Sequence, residues 1–235
     1  MNASINKTAR IGGFFYLIII LTGFYGEMIV RSKLIVPADA VATANNIISS
    51  QLLWRTGIAT DLLMHICDIP LMLIFYLLLK PVNKNLALIA LLFNLVQTAV
   101  LVANKLNLVT ALFPLSNAGY LKAFDAQQLY TLTYLAIKSH EYGFGVGLIF
   151  FGFTCIIMGY LIFKSGYSPG TIGVLMQIAG LCYLVNSFSL IIAPSFADTI
   201  FPFVLIPPFI GELSLCLWLI FKGVNVAVWK RRLSI

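Results

Sequence analysis

The sequence predicts an all-α protein, a polytopic membrane helix bundle, and two observations lead to this prediction. Of its 235 residues, 60% are hydrophobic and 10% are charged, whereas an ordinary soluble domain carries about 25% charged residues. Six apolar runs also reach the length of about 20 residues that a helix needs to cross a bilayer. We therefore expect one integral membrane domain, residues 1–235, with six transmembrane helices and two longer outer-side connections that contain amphipathic helices.

The first span follows two basic residues, Lys7 and Arg10, and is closed by Arg31 and Lys33. Its apolar run is longer than the apolar part of a signal peptide, and no A-x-A cleavage pattern follows it. We therefore interpret it as a membrane helix. The six expected spans are residues 11–30, 60–80, 86–111, 142–163, 171–193 and 203–222.

The connection between the first two spans is predicted to contain a helix. Pro37 and Asp39 are typical of a helix start, because an acid at the capping position accepts hydrogen bonds from free backbone N–H groups. Residues 40–54 then show a partly amphipathic pattern. The second span ends at Lys80, and residues 81–85 form a short polar turn.

The third span is distinguished by its amides. Asn94, Gln97, Asn104 and Lys105 fall within an arc of about 100° on a helix, which gives this span a polar face. Amide side chains commonly form hydrogen bonds between helices in membranes. The amine of Lys105 is expected to extend toward the membrane interface.

The second long connection, residues 113–139, is predicted to end in a helix that starts at Asp125 and runs directly into the fourth span. Glycines lie on two faces of this span, with Gly143 on one face and Gly152 and Gly159 on the other. Small residues let neighbouring backbones approach closely. We therefore expect two partner helices to pack against the fourth span.

The fifth span follows a tight turn, and the sixth span contains Pro207 and Pro208. Proline lacks the N–H donor that would satisfy a carbonyl one turn earlier, around Phe203 and Val204. Either these residues precede the helix, or free carbonyl oxygens lie about one turn from Glu212. The four cysteines all fall inside apolar runs, and we expect them to be core residues.

The formal net charge of +7 does not indicate nucleic-acid binding, because no basic run is interleaved with aromatic residues. The basic residues lie mostly between the apolar runs, nine on the side of the termini and five on the other side. Cytoplasmic loops are enriched in lysine and arginine. Both termini are therefore expected in the cytoplasm, with the lipid bilayer as the main partner.

An ionisable stripe lies inside the second span. On a helix, His65 and Asp68 project within about 40° of Asp61, so the three side chains share one face. A charged side chain inside a membrane is costly and marks a functional site by default. The stripe is therefore the starting point for a candidate site.

Polar groups from other spans are expected at the same depth, in the outer half of the bilayer. The resulting candidate cluster consists of Asp61, His65, Asp68, Asn104, Lys105, His140, Glu141 and Glu212. With Glu27 near the boundary, ionised acids would outnumber Lys105, and unpaired buried carboxylates are very unfavourable. We therefore expect protonated acids, access to water or a bound cation.

A divalent cation is one way to balance these charges. Imidazole and carboxylate groups form plausible metal ligands, and the candidates are His65, His140, Asp61, Glu141 and Glu212. No H-E-x-x-H or H-x-x-x-H motif occurs. The metal hypothesis therefore rests on the shared depth of these residues, and no other cofactor is predicted.

Several segments resemble one bacterial protein family. They are residues 8–13 (TARIGG), 31–46 (RSKLIVPADAVATANN), 80–87 (KPVNKNLA), 140–143 (HEYG) and 164–167 (KSGY). This set is similar to the domain-of-unknown-function 4386 family, and the resemblance extends over nearly the whole chain. It implies a multi-pass protein of the bacterial cytoplasmic membrane, and it supplies neither an activity nor site residues.

Three functions remain open at this stage. The first is an outward-opening polar pocket that binds or transports a cation, a proton or a small polar ligand, since transporters place sites at discontinuous helices near the midplane. The second is a structural or accessory subunit whose polar groups only hold the helices together. The third is a membrane-embedded hydrolase acting on lipid, with or without a metal, in which His65 or His140 is the base or a metal ligand. The sequence does not decide whether the protein is an enzyme.

Overall fold

The structure, a computed structural model, describes residues 2–116 and 118–233, and most of them are helical. The α-helices in chain order are α1 (Asn2–Phe24), α2 (Ser32–Leu34), α3 (Ala40–Ser49), α4 (Gln51–Leu79), α5 (Lys84–Thr110), α6 (Ala126–Ser165), α7 (Gly170–Ile192), α8 (Pro194–Ile200), α9 (Ile206–Phe221) and α10 (Val226–Leu233). The other helical segments are a π-helix, Tyr25–Arg31, and two 3₁₀ helices, Gly119–Ala123 and Phe203–Leu205. No strand occurs in this part of the chain.

Six helical segments are long and apolar enough to cross a membrane. They are Ile5–Leu34, Gln51–Leu79, Lys84–Thr110, Ala126–Ser165, Gly170–Ile192 and Phe203–Phe221. Large apolar side chains such as Ile66, Leu106 and Phe209 are exposed on the bundle, as is typical of a surface that contacts a membrane. The prediction of an all-α membrane bundle with six spanning helices is confirmed.

The first span is made of three successive helical segments. The helix α1 continues into the π-helix Tyr25–Arg31, which continues into α2. A π-helix is rare, and it is found frequently at functional sites. Arg31, the last residue of this one, is buried inside the bundle.

Both long connections contain helix, as predicted. The helix α3 begins after Asp39, whose side chain accepts a hydrogen bond from the Ala42 N–H at 2.8 Å. The helix α6 begins after Asp125, which forms a capping box with Gln128, and it continues without a break through the fourth span. The end of the second connection and the fourth span are therefore one helix of 40 residues.

Glycines let two helices pack closely against α6. A Cβ added to Gly152 would lie 2.9 Å from the carbonyl oxygen of Gly180 in α7. A Cβ added to Gly143 would lie 2.2 Å from the side-chain oxygen of Asn104 in α5. Neither position leaves room for a Cβ, so both close contacts require glycine. The two partner helices that the sequence predicts for the fourth span are therefore α7 and α5.

The prolines of the sixth span lie at its start. Pro207 and Pro208 occupy the first turn of α9, where their missing N–H donors have no acceptor within the helix. The Phe203 carbonyl accepts a hydrogen bond from the Ile206 N–H. The alternative of a broken sixth helix with a free carbonyl at Phe203 is therefore wrong. The proline inside a spanning helix is Pro70 in α4, which removes one backbone hydrogen bond from that helix.

Two apolar cores stabilise the bundle, and the ionisable stripe of α4 lies between them along the chain. Ile58 belongs to one core and Leu71 to the other. Trp54 anchors the first core, since its indole N–H donates to the Leu108 carbonyl oxygen at 3.0 Å. Polar side chains between these cores can be accommodated only if they find partners or a ligand.

Candidate functional site

The predicted polar residues lie in two separate clusters. Along α4, Asp61 belongs to the first cluster and Asp68, about two turns later, to the second. We call the first the ionic cluster, which consists of Glu27, Arg31, Asp61, Lys105 and His140. We call the second the acidic cavity, whose two acids are Asp68 and Glu212.

Asp61 is fully buried and is held by cations from two other spans. Arg31 Nη1 lies 2.7 Å from Asp61 Oδ2, and Nη2 lies 3.3 Å from Oδ1. Lys105 Nζ lies 2.9 Å from the same Oδ2, and Arg31 Nε donates to Glu27 Oε2 at 2.7 Å. Two acids and two bases are thus paired, so the ionic cluster needs no additional ion for charge balance.

Lys105 ends inside the bundle. Its side chain is 3% exposed, and its Nζ lies 3.3 Å from His140 Nε2 and 5.8 Å from the centre of the Phe144 ring. Asn104 Nδ2 fixes the same region by donating to the His140 carbonyl oxygen at 2.8 Å. The expected extension of Lys105 to the interface is therefore wrong, because Asp61 and His140 replace the water that a charged amine otherwise requires.

The π-helix and its glycine allow the first span to approach α4. A Cβ added to Gly26 would lie 2.3 Å from Asp61 Oδ1 and 3.0 Å from Arg31 Nη2. Arg31 closes an apolar run of the sequence, a position that predicts a boundary residue, whereas in the structure it contacts Asp61. The spacing of four residues indicates only the pair of Arg31 with Glu27, and no sequence pattern indicates the contact with Asp61.

Glu141 belongs to neither cluster. Its Oε2 lies 2.7 Å from Lys138 Nζ, and the two side chains are 46% and 47% exposed. His140, the preceding residue, is buried. Adjacent residues of α6 therefore face different surroundings, and the structure does not bring Glu141 to the other predicted site residues.

His65 lies between Asp61 and Asp68 on α4. The residue is 2% exposed, and its Nε2 has no hydrogen-bond partner within the described ranges. A buried polar atom without a partner costs about 1–3 kcal/mol. His65 therefore makes no polar contact through this atom to either cluster.

The acidic cavity has a volume of about 30 Å³ and is lined by side chains of α1, α4, α6, α7 and α9. Its polar lining residues are Asp68, Glu212 and Tyr16, its sulfur-containing ones are Met72, Cys155, Met158 and Met176, and the others are Ile19, Leu71, Phe75 and Phe151. Acids from two different spans, α4 and α9, thus border the same space.

Asp68 is hydrogen-bonded through one of its two oxygens. Its Oδ2 accepts from Asn94 Nδ2 at 2.9 Å and from the Thr98 hydroxyl. Both donors come from the amide face of α5. Oδ1 accepts no hydrogen bond from residues 2–116 or 118–233, so one oxygen of this buried carboxyl is available to a ligand.

Glu212 accepts one hydrogen bond on each oxygen. Tyr16 donates to Oε2 at 3.1 Å, and Tyr183 donates to Oε1 at 2.5 Å. These hydroxyls come from α1 and α7, so they join three spans around one carboxyl. Sequence analysis did not include either tyrosine in the site, because a tyrosine in an apolar run has the same pattern as an ordinary core aromatic.

Neither acid of the cavity has a basic partner. In the part of the chain that the structure describes, no lysine, arginine or histidine nitrogen lies within 4.0 Å of either carboxylate. Two unpaired carboxylates beside one small apolar space would repel each other and be poorly solvated. The arrangement therefore favours a proton or a cation between them.

The five metal-ligand candidates from the sequence are not brought together. Across the described residues, no three His, Cys, Asp or Glu side chains form a group that could hold a metal ion. Asp61 and His140 are separated by the amine of Lys105, which contacts both. Glu212 lies in the acidic cavity, and Glu141 is bound to Lys138.

Comparison with known proteins extends over most of this chain. The family model described as Domain of unknown function (DUF4386) matches residues 11–223, a range that contains both clusters. A protein from Archaeoglobus fulgidus described as "Uncharacterized protein" is 30% identical over 161 residues, which cover 68% of this chain and 80% of that relative. No solved structure matches the chain.

Proposed function

We propose that this chain, which belongs to the DUF4386 family, binds a proton or a small monovalent cation inside the membrane, at the acidic cavity between Asp68 and Glu212. One observation carries the proposal: two carboxyls without a basic partner in the described residues line a single cavity. The chain itself is a multi-pass helical membrane protein of this family.

Charge supports the proposal. The donors that contact Asp68 and Glu212 are an amide and three hydroxyls, which are neutral and cannot cancel a carboxylate charge. A proton removes the charge, and a monovalent cation balances it. In the ionic cluster, by contrast, Arg31 and Lys105 already balance the acids.

Size narrows the range of ligands. A volume of about 30 Å³ exceeds the about 10–15 Å³ that one water molecule needs in a cavity. It is too small for an organic ligand or a lipid headgroup. Among the functions left open by the sequence, the cavity therefore supports proton or cation binding better than lipid hydrolysis.

The structural role is the second candidate, and the ionic cluster favours it for that part of the molecule. Arg31, Asp61 and Lys105 connect the first three spans through buried ion pairs. Among the described residues, no buried side-chain nitrogen or oxygen of this cluster lacks a hydrogen-bond partner. We therefore assign helix–helix locking to the ionic cluster and ligand binding to the acidic cavity.

For the location, we propose a bacterial cytoplasmic membrane with both termini in the cytoplasm. Nine basic residues on the terminal side against five on the other side support this orientation.

Thermal unfolding of the purified protein in detergent tests the binding proposal. The unfolding midpoint is measured as a function of pH, and also in Li⁺, Na⁺ or K⁺ salts compared with a large organic cation at equal ionic strength. A ligand that binds only the folded state raises this midpoint. We expect a pH or cation dependence that is lost in Asp68→Asn and Glu212→Gln and retained in Glu141→Gln. An identical dependence in all four proteins would overturn the proposal.

A further inference from the structure

Sulfur-containing residues are concentrated in the lining of the acidic cavity. Three of the six methionines of the chain, Met72, Met158 and Met176, line it together with Cys155. They come from three different helices, α4, α6 and α7, and all four residues are at most 3% exposed. The cavity therefore combines thioether and thiol groups with two carboxyls in a space for one ion.

Methionine often fills irregular gaps in a core, and neither of the other two methionines of the spans lines the acidic cavity. Met64 packs near Gly23, where an added Cβ would lie 3.2 Å from its sulfur, and Met28 is exposed. The three cavity methionines differ because they line a cavity that two acids also line.

Donor chemistry then selects the class of cation. Thioether and thiolate sulfur are soft donors that favour Cu(I), whereas Mg²⁺ and Ca²⁺ prefer an all-oxygen set. We infer that the acidic cavity is a binding site for a soft monovalent cation, Cu(I), with Ag(I) as its redox-inert analogue. This inference rests on the proposed function, because it names the cation that the same cavity prefers.

The charges and protons of this binding step balance without a redox change. The single positive charge of Cu(I) is neutralised by one carboxylate, Asp68 or Glu212, while the thioethers are neutral donors that release no proton. If Cys155 binds as a thiolate, its S–H bond breaks and a new bond to Cu(I) forms. The released proton then goes to the ionised carboxylate that otherwise balances Cu(I), so the thiolate alone neutralises the metal and both carboxyls are protonated.

Competition with a chromophoric Cu(I) chelator under reducing, anaerobic conditions tests the inference on the full-length protein in detergent. We expect one Cu(I) to bind per chain, with a higher affinity than single thiols elsewhere in the protein have for Cu(I). The X-ray absorption spectrum should show sulfur ligands. The double variant Met72→Leu/Met176→Leu should bind Cu(I) at least about tenfold more weakly. Removal of a residue that only supports a metal ligand already lowers metal affinity by about 10–100-fold. Methionine to leucine preserves volume, so folding should be retained.

Met64→Leu is the matched control, because it removes a thioether that lies outside the cavity, and its Cu(I) affinity should equal that of the wild type. Equal affinities in Met64→Leu and the double variant, or a metal spectrum with only nitrogen and oxygen ligands, would overturn the inference. If Cu(I) and Ag(I) do not bind while the midpoint still responds to pH or Na⁺ through Asp68 and Glu212, the soft-cation inference fails and the proposed function stands. If the protein neither binds Cu(I) nor shows a dependence of the midpoint on pH or Na⁺, both the soft-cation inference and the proposed function fail.

Discussion

Arg31 and Asp61 form a buried two-point contact between the first and second spans, with Nη1 at 2.7 Å from Oδ2 and Nη2 at 3.3 Å from Oδ1. An arginine fork matches a carboxylate in this geometry, which adds directional specificity to the charge attraction. The pair therefore fixes the relative position of two membrane helices at a level where both residues are buried in the bundle.

Replacement of Asp61 should be strongly destabilising. Asp61→Asn leaves the buried amine of Lys105 and one side of the Arg31 guanidinium without a counter-charge, and breaking such a pair costs about 3–5 kcal/mol. Chemical unfolding in detergent measures the loss. Glu141→Gln, which breaks the exposed contact with Lys138, should cost about 1 kcal/mol or less. Equal losses in the two variants would contradict the assignment of Asp61 to a buried network.

Removal of Lys105 should cost less than removal of Asp61. In Lys105→Met the carboxylate of Asp61 keeps both contacts with Arg31, and the new side chain occupies a similar volume. We expect a free energy of unfolding between those of the wild type and Asp61→Asn. The same unfolding experiment ranks the stabilities of the two variants. A larger loss of stability for Lys105→Met than for Asp61→Asn would show that Arg31 is not the main partner of Asp61.

Gly26→Ala should weaken the contact between the first two spans without any change of charge. The added methyl would lie 2.3 Å from Asp61 Oδ1, so the carboxylate or the helix must move. A lower unfolding midpoint is the expected result. Gly119→Ala is the control, because no atom lies within 4 Å of a Cβ added there, and its midpoint should stay close to that of the wild type.

Tyr183→Phe should weaken cation binding at the acidic cavity. The variant removes the hydroxyl that donates to Glu212 Oε1, and a hydrogen bond to a charged group contributes about 1.5–3 kcal/mol. We expect the cation-dependent rise in unfolding midpoint to require at least about tenfold more cation, since about 1.4 kcal/mol corresponds to a factor of ten. Tyr160→Phe, at an exposed position of α6, should leave the cation dependence unchanged.

The proposed orientation predicts opposite labelling of two exposed lysine positions. Lys122→Cys lies in the second long connection, and Lys84→Cys lies at the first residue of α5, after the short turn that joins the second and third spans. In intact cells, a thiol reagent that does not cross membranes should label Lys122→Cys alone. It should label Lys84→Cys only after the cells are permeabilised. The reverse labelling pattern would show that the orientation is opposite to the one proposed.

Local signals in the sequence predicted the helices well, because their causes are local. The apolar length of each span and the acid at Asp39 act within a few residues of the helix they define. Helical phase also placed Asp61, His65 and Asp68 on one face, and the structure buries all three. Helical phase does not indicate which residues of other helices contact that face.

Partners from distant segments explain the rest of the site. Asp61 and Asp68 share a face but stand about 10 Å apart along the helix, far enough to meet different spans. Asp61 meets Arg31, whose position near the end of an apolar run resembled a boundary residue. Glu212 meets Tyr183, whose hydroxyl gives no signal in a hydropathy pattern. Such pairings depend on tertiary packing, which the sequence does not encode in its spacing.

One helix carries side chains of both clusters. The 40 residues of α6 form a rod about 60 Å long, twice the roughly 30 Å depth of a hydrocarbon core. His140 and Cys155 are about 22 Å apart on this rod, one beside the paired charges and the other beside the empty space. The helix α6 therefore contacts both clusters and is longer than the hydrocarbon core is deep, so a change in its tilt would displace side chains in both clusters.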